Sequence, residues 1–291
     1  LGSAAAASKL FKLSQEQTGN GMGFASAFAG GTLEWFAAGT MEWRFEVGVA
    51  SREGILSALL AKNGGKAAPS AIEGPAGYLK AFANTNEMAE NIVAHLGKQW
   101  EIMNAGFKPY PVCAFNQPPV TNMLAMVREN KINADEVERI QIRVNPYEYN
   151  YAGMTSRGPF NSVGATLMST PYCLAAAVVE KEITLKGISQ FTHPKILALI
   201  DRIDHIPDEK IPRWSCIIET QMKDGKKLKK DMIISAEYYN FNMDRDIELI
   251  KQVTSETGVN QSKVERLVSL VKDLPNAQNV RPLVEVLAGC P

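Results

Sequence analysis

The sequence carries no net charge, because 31 Lys and Arg residues balance 31 Asp and Glu. That balance leaves no basic face for a nucleic-acid backbone and no polybasic anchor for an anionic membrane. An anionic small molecule needs only a few local Arg and Lys residues, so it stays open as a ligand. Cysteine is scarce. Cys113, Cys173, Cys216 and Cys290 are scattered, with no C-x-x-C and no Cys/His cluster, which argues against a metal site. A disulfide framework is not expected at this size, and reduced thiols in a cytoplasmic protein fit better. The ordinary role for most of these thiols is that of small buried hydrophobes. No apolar run reaches the roughly 18 residues that a membrane span requires. His95, His193 and His205 have no Cys or Asp partner at triad or metal spacing. The first residues, Leu1 to Ala7, include no initiator Met and no basic leader of a signal peptide. They read like the middle of a helix, so the chain is expected to begin inside a larger protein.

What is present is ordinary globular material. Hydrophobic residues make up 45% and charged residues 21%, which excludes disorder along most of the length. The 291 residues suffice for two cores or one large one. Residues 3–40, rich in Ala, Gly, Met, Phe and Leu, read as a pair of packed helices. Gly19, Gly21, Gly23, Gly30 and Gly31 interrupt their pattern and allow close approach; no strand precedes them, as a phosphate-cradling loop would need. Apolar spacing predicts a helix over 49–63, stopped by Gly64-Gly65. Shorter helical stretches follow over 75–83 and 86–98. Prolines 109, 111, 118 and 119 then punctuate a turn-rich segment before a helix at about 119–130. Residues 137–144 alternate as a half-buried strand. Residues 163–180 read as one buried helix, with Ser169 and Cys173 facing the core. Residues 217–222 and 229–236 flank Asp224-Gly225, a hairpin signal. Amphipathic helices are predicted over 244–257, 260–273 and 279–288, with Asn260 as an N-cap.

Three segments set polar groups in unusual surroundings. In Glu42-Trp43-Arg44-Phe45-Glu46-Val47-Gly48, Arg44 and Glu46 lie between helix-like stretches beside aromatics. Arg can clamp a carboxylate through two parallel hydrogen bonds, and a Glu among apolar groups can serve as a base. The plainer alternative is an Arg–Glu pair at a helix edge. In Phe107 to Gln117, two prolines fix a backbone that carries Lys108 and Tyr110 at a domain junction. A rigid segment holding a cation and a phenol suits carboxylate binding or proton transfer. A linker with a merely solvated Lys is the alternative. The third segment, Tyr147 to Phe160, holds Tyr147, Tyr149, Tyr151 and Arg157 after a strand. It reads equally as a functional loop or a surface tyrosine cluster.

Several segments, in one order along nearly the whole chain, resemble the MmgE/PrpD family. They are residues 39–50, then Ile72-Glu73-Gly74-Pro75-Ala76-Gly77 and its continuation to Phe82, then Lys108-Pro109-Tyr110-Pro111-Val112-Cys113. Ser169-Thr170-Pro171-Tyr172-Cys173 and His193-Pro194 complete the set. The family includes 2-methylcitrate dehydratases, cis-aconitate decarboxylases and iminodisuccinate epimerases. The resemblance implies a mainly α fold. An all-helical domain would be built from both ends of the chain (residues 1–106 and 243–291), with an inserted α+β lid over 107–242. It also implies homodimers and no metal or organic cofactor. Members carry a further helical block ahead of the part matching Leu1, which supplies acidic and His residues to the site; a second chain could supply it here. Many members also have a Lys before the Arg of the first motif and a His two residues after it, where this chain has Trp43 and Glu46. Lys108 matches the family's second active-site Lys.

The expectation is therefore a cofactor-independent acid–base enzyme acting on a small di- or tricarboxylate. It would abstract a proton α to a carboxylate and act as an epimerase or isomerase. A dehydratase, or a truncated member that binds a metabolite or a partner chain, is the alternative. The pattern resembles the iminodisuccinate epimerase branch most. Lys108, Glu46 and Tyr110 are the expected catalytic residues. Arg44, Arg157 and Ser169 are expected to bind substrate, Arg157 by closing over it.

Overall fold

The architecture is taken from a computed structural model that describes residues 1–87 and 89–288. Cys290 lies outside the described residues. The chain forms two compact units. The first comprises Leu1–Trp35 and Thr40–Met103, and the second Phe36–Gly39 and Asn104–Pro291. The fold is mainly α, with one small mixed sheet.

The first unit is built on α1 (Gly2–Leu10), α2 (Gln15–Ala27) and α4 (Trp43–Lys62), which pack on one another. A short helix, α3 (Glu34–Ala38), spans the passage between units, and α5 (Tyr78–Ala83) follows α4. Ser14 opens α2 through a capping box with Gln17. The expected pair of packed helices is present, but Gly19, Gly21 and Gly23 do not interrupt α2. They lie within it, and at Gly21 an added Cβ would sit 3.3 Å from Ser8 Oγ and 3.5 Å from Ala58 Cα. Close approach of three helices there offsets the helix cost of glycine.

Two helical expectations need correction. Among the described residues of 86–98, the only helical stretch is a 3-10 turn, Ala89–Ile92, followed by turns. Val93, Leu96 and Ile92 are exposed, so no buried apolar face offsets the cost of helix nucleation. The single helix expected over 163–180 is two, α8 (Val163–Met168) and α9 (Thr170–Glu180). Ser169 between them is extended, and Pro171 can stand only in a first turn, where its missing N–H is not needed.

In the second unit, α6 (Gln117–Asn130) leads into β1 (Val137–Val144) and the short α7 (Pro146–Tyr149). After α8 and α9 come α10 (Pro194–Ile200), β2 (Ile203–Pro207), β3 (Cys216–Met222) and β4 (Lys227–Met232). The strand order is β2-β1-β3-β4, with β2 parallel to β1 and the rest antiparallel. β3 and β4 meet at the expected Asp224-Gly225 turn, where Gly225 has φ +87°. Alternate residues of β1 and β3 point inward, among them Ile140, Ile142, Cys216 and Ile218, and α6 and α9 cover that face. The opposite face carries Arg139, Gln141, Glu219 and Lys229. Three amphipathic helices, α11 (Met243–Thr257), α12 (Gln261–Lys272) and α13 (Arg281–Ala288), close the described chain within this unit. Asn260 caps α12, its side chain accepting from the Ser262 N–H. No helix among the described residues is long and apolar enough to cross a membrane.

Candidate active site

The segment around Lys108 is held by two buried amides that no sequence pattern marks. Gln117, 2% exposed, donates through Nε2 to the carbonyls of Tyr110 (2.9 Å) and Val112 (3.1 Å). Its Oε1 accepts the Tyr110 N–H at 3.2 Å. Asn116, fully buried, donates to the carbonyls of Leu167 (3.1 Å) and Met168 (2.9 Å) and accepts from Thr170 Oγ1 at 2.8 Å. Residues 110–116 are thereby tied both to α6 and to the α8–α9 junction. Lys108 is exposed at the edge of this framework, and Tyr110 is half-buried. Burial pushes the Cys113 thiol up, and the nearby Lys108 charge opposes that shift.

Ser169 is fully buried. Its hydroxyl donates to the Ser156 carbonyl at 2.5 Å and accepts the Tyr172 N–H at 3.0 Å, as the N-cap of α9. Both of its bonds are thus internal, and it offers a carboxylate no available donor in this conformation. Arg157 likewise donates to the Ile200 carbonyl at 2.7 Å and to the Ile203 carbonyl, tying the 150–160 loop to the start of β2. With both terminal nitrogens so used, it is not a fork waiting over a substrate.

In the first unit, Arg44 and Glu46 are not between helices, as expected, but in the first turns of α4. No ion pair joins them among the described residues. Arg44 instead lies 5.3 Å from the Trp43 ring centre. Glu46 Oε1 accepts from Trp35 Nε1 at 3.1 Å. Glu46 also lines a cavity of about 640 Å³ with Glu42, Phe45, Glu53 and Tyr78. Arg44 and Glu46 belong to one compact unit, and Lys108, Tyr110, Arg157 and Ser169 to the other.

The second unit also holds a ring cluster, of which only the tyrosines stand out in the sequence. Phe115 lies 5.1 Å from Tyr151, 5.5 Å from Trp214 and 5.9 Å from Tyr147. The Arg213 guanidinium carbon lies 3.9 Å from the Tyr147 ring centre. The tyrosine-rich loop is the one local signal of this cluster, since nothing near Trp214 or Phe115 in sequence marks them as its partners.

Two family models match this chain. The MmgE/PrpD N-terminal domain matches residues 1–91 and the MmgE/PrpD C-terminal domain matches residues 110–238. The chain belongs to the MmgE/PrpD family. It is similar to cis-aconitate decarboxylase of Aspergillus terreus, at 24% identity over 310 residues. That match covers 99% of this chain and 62% of the fungal protein. It is also similar to cis-aconitate decarboxylase of Homo sapiens, at 23% identity over 303 residues, covering 99% of this chain and 61% of the human protein. The chain therefore spans about three fifths of the length of these relatives.

Proposed function

We propose that this protein acts on a small di- or tricarboxylate by moving a proton α to a carboxylate, using its own side chains and no cofactor. The observation that carries the reading is Lys108, an exposed cation two residues before Tyr110, whose backbone the buried Gln117 amide holds. A cation at that edge stabilises the enolate-like charge that such a proton abstraction creates. Tyr110, two residues on, is the candidate acid or base beside it. Arg44 and Glu46 of the first unit remain candidates, Arg44 for a carboxylate and Glu46 for proton transfer, each tested by itself. The internal bonds of Ser169 and Arg157 make them positioning residues in this reading.

Expulsion of a leaving group, as in a lyase, is supported by the similarity to enzymes named for cis-aconitate. Return of the proton on the other face, as in an epimerase, is the second reading. It is favoured by Trp43 and Glu46 standing where many members have Lys and His. A cytoplasmic location and a homodimer, or a companion chain supplying further helices, belong to the same proposal. The apolar surface that α4 leaves exposed, with Phe45 at 63% and Val47 at 74%, supports the association alone.

The test is α-proton exchange in deuterated water, followed by NMR over a panel of di- and tricarboxylates. Exchange with retention of the skeleton reads epimerisation, and loss of water or carbon dioxide reads a lyase. Lys108→Ala should fold normally and lose about a hundredfold or more in kcat/KM. An unchanged kcat/KM would overturn the proposal.

A further inference from the structure

Arg213 follows Pro212 on the loop between β2 and β3, in the second unit. Its guanidinium carbon lies 3.9 Å from the Tyr147 ring centre and 5.8 Å from that of Phe115. Stacking of this kind holds the planar group in one orientation and keeps its charge. On its inner edge, Nε lies 3.8 Å from Glu148 Oε1. Glu148 is itself fixed: it is 2% exposed, and the same oxygen accepts the Trp214 N–H at 2.7 Å. Burial pushes the Glu148 carboxyl up, while the Trp214 N–H and the Arg213 charge hold it down. Trp214 reaches this bond with φ +62°, a left-handed conformation that costs a bulky side chain energy. The backbone is thus held in a costly shape where it presents an N–H to Glu148 and an indole to Phe115.

The outer edge of the guanidinium is different. Among the described residues, no hydrogen bond reaches the two terminal nitrogens of Arg213, and its side chain is 48% exposed. A stacked, pinned guanidinium with an open outer edge is the arrangement that receives a carboxylate through two parallel hydrogen bonds. Phe115 in turn lies 5.1 Å from Tyr151, so Arg213 borders an aromatic cluster of the second unit.

We propose that Arg213 binds one carboxylate of the small di- or tricarboxylate substrate through its outer edge, against the Tyr147 and Phe115 rings. This rests on the carboxylate function proposed above and adds a recognition residue to it.

The experiment is calorimetric titration of citrate and succinate, with acetate as the monocarboxylate control, into the wild-type chain and its Arg213→Gln, Arg213→Lys and Lys227→Gln variants. Arg213→Gln should weaken citrate binding about tenfold or more, as expected for loss of a charged hydrogen-bond pair. Arg213→Lys, which keeps the charge but not the planar fork, should recover only part of that. Lys227→Gln, on the far strand β4, should bind as the wild type does. If Arg213→Gln does not fold, Arg213→Lys carries the test, and a citrate affinity within twofold of wild type overturns the assignment. Citrate binding unchanged in Arg213→Gln overturns it while leaving the carboxylate function standing. An equal loss in Lys227→Gln also overturns it, since binding would then be diffuse charge attraction. A wild-type chain that binds neither citrate nor succinate removes the proposed function and this assignment together.

Discussion

Gln117 and Tyr110 bond each other in both directions: the Gln117 amide nitrogen donates to the Tyr110 carbonyl at 2.9 Å, and its oxygen accepts the Tyr110 N–H at 3.2 Å. The side chain that opens α6 therefore serves as a surrogate backbone for a proline-punctuated segment that lacks a ladder partner. Gln117→Leu is close in volume but leaves the Tyr110 N–H and the Val112 carbonyl without this partner, while the Tyr110 carbonyl keeps only the Val112 N–H. The expected loss is about 2–4 kcal/mol of unfolding free energy, from two unpaired groups at roughly 1–3 kcal/mol each, less what relaxation recovers. Urea denaturation of the variant measures it. A loss under about 0.5 kcal/mol would show that this clamp does not hold the segment.

Ser169 gives a second prediction, because its two roles separate cleanly. As the N-cap of α9 it satisfies the Tyr172 N–H and the Ser156 carbonyl. Ser169→Ala should cost about 1–2 kcal/mol in stability, the usual range for a lost cap. Because the hydroxyl is turned inward, citrate affinity should stay within about twofold, well short of a lost charged contact. A large fall in affinity with unchanged melting temperature would restore Ser169 as a substrate contact.

These residues also show which features could be read from sequence. β1, the β3–β4 hairpin and the helices from Met243 onward announce themselves locally, by alternation, by Asp224-Gly225 or by helical spacing. β2 does not, since Ile203–Pro207 is five residues long and includes Asp204 and His205; only pairing with β1 makes it a strand. The carbonyls held by Asn116 belong to Leu167 and Met168, about fifty positions away, so its role has no sequence signal. Lys108 and Tyr110 stand out as candidates because prolines surround them. Arg213 does not, because its meaning depends on rings contributed by three separate segments.

The Glu73-Gly74-Pro75-Ala76-Gly77 motif predicts a stability effect rather than a catalytic one. A Cβ on Gly77 would meet the Ile72 carbonyl at 2.8 Å and the Ala71 carbonyl at 2.9 Å. Those carbonyls accept the Leu79 and Tyr78 N–H groups, so they cannot retreat without breaking the turn that starts α5. Gly77→Ala should destabilise the protein by about 1–3 kcal/mol, the range for overpacking a tight site. Thermal unfolding followed by circular dichroism tests this, and a melting temperature equal to wild type would refute it.

His205 predicts the pH dependence of folding. Both ring nitrogens are buried without a hydrogen bond, and Tyr149 packs against the ring at 4.9 Å. Burial first and the neighbouring Arg157 charge second, opposed by the Met154 carbonyl, together push the imidazole down to about 4 from its ordinary 6.5. The unfolded chain therefore binds a proton between these values that the folded chain refuses. The sign follows: stability is fully present above about pH 6.5 and falls progressively as pH drops toward 4. The full loss is roughly 3 kcal/mol, because each pH step between the two values costs about 1.4 kcal/mol. His205→Leu should be flatter than wild type across that window, the wild type losing stability relative to the variant as pH falls. Urea titrations at pH 7, 6, 5 and 4 measure the difference, which cancels contributions from carboxylates common to both proteins. Parallel curves would mean that His205 finds a proton-accepting partner in the folded chain.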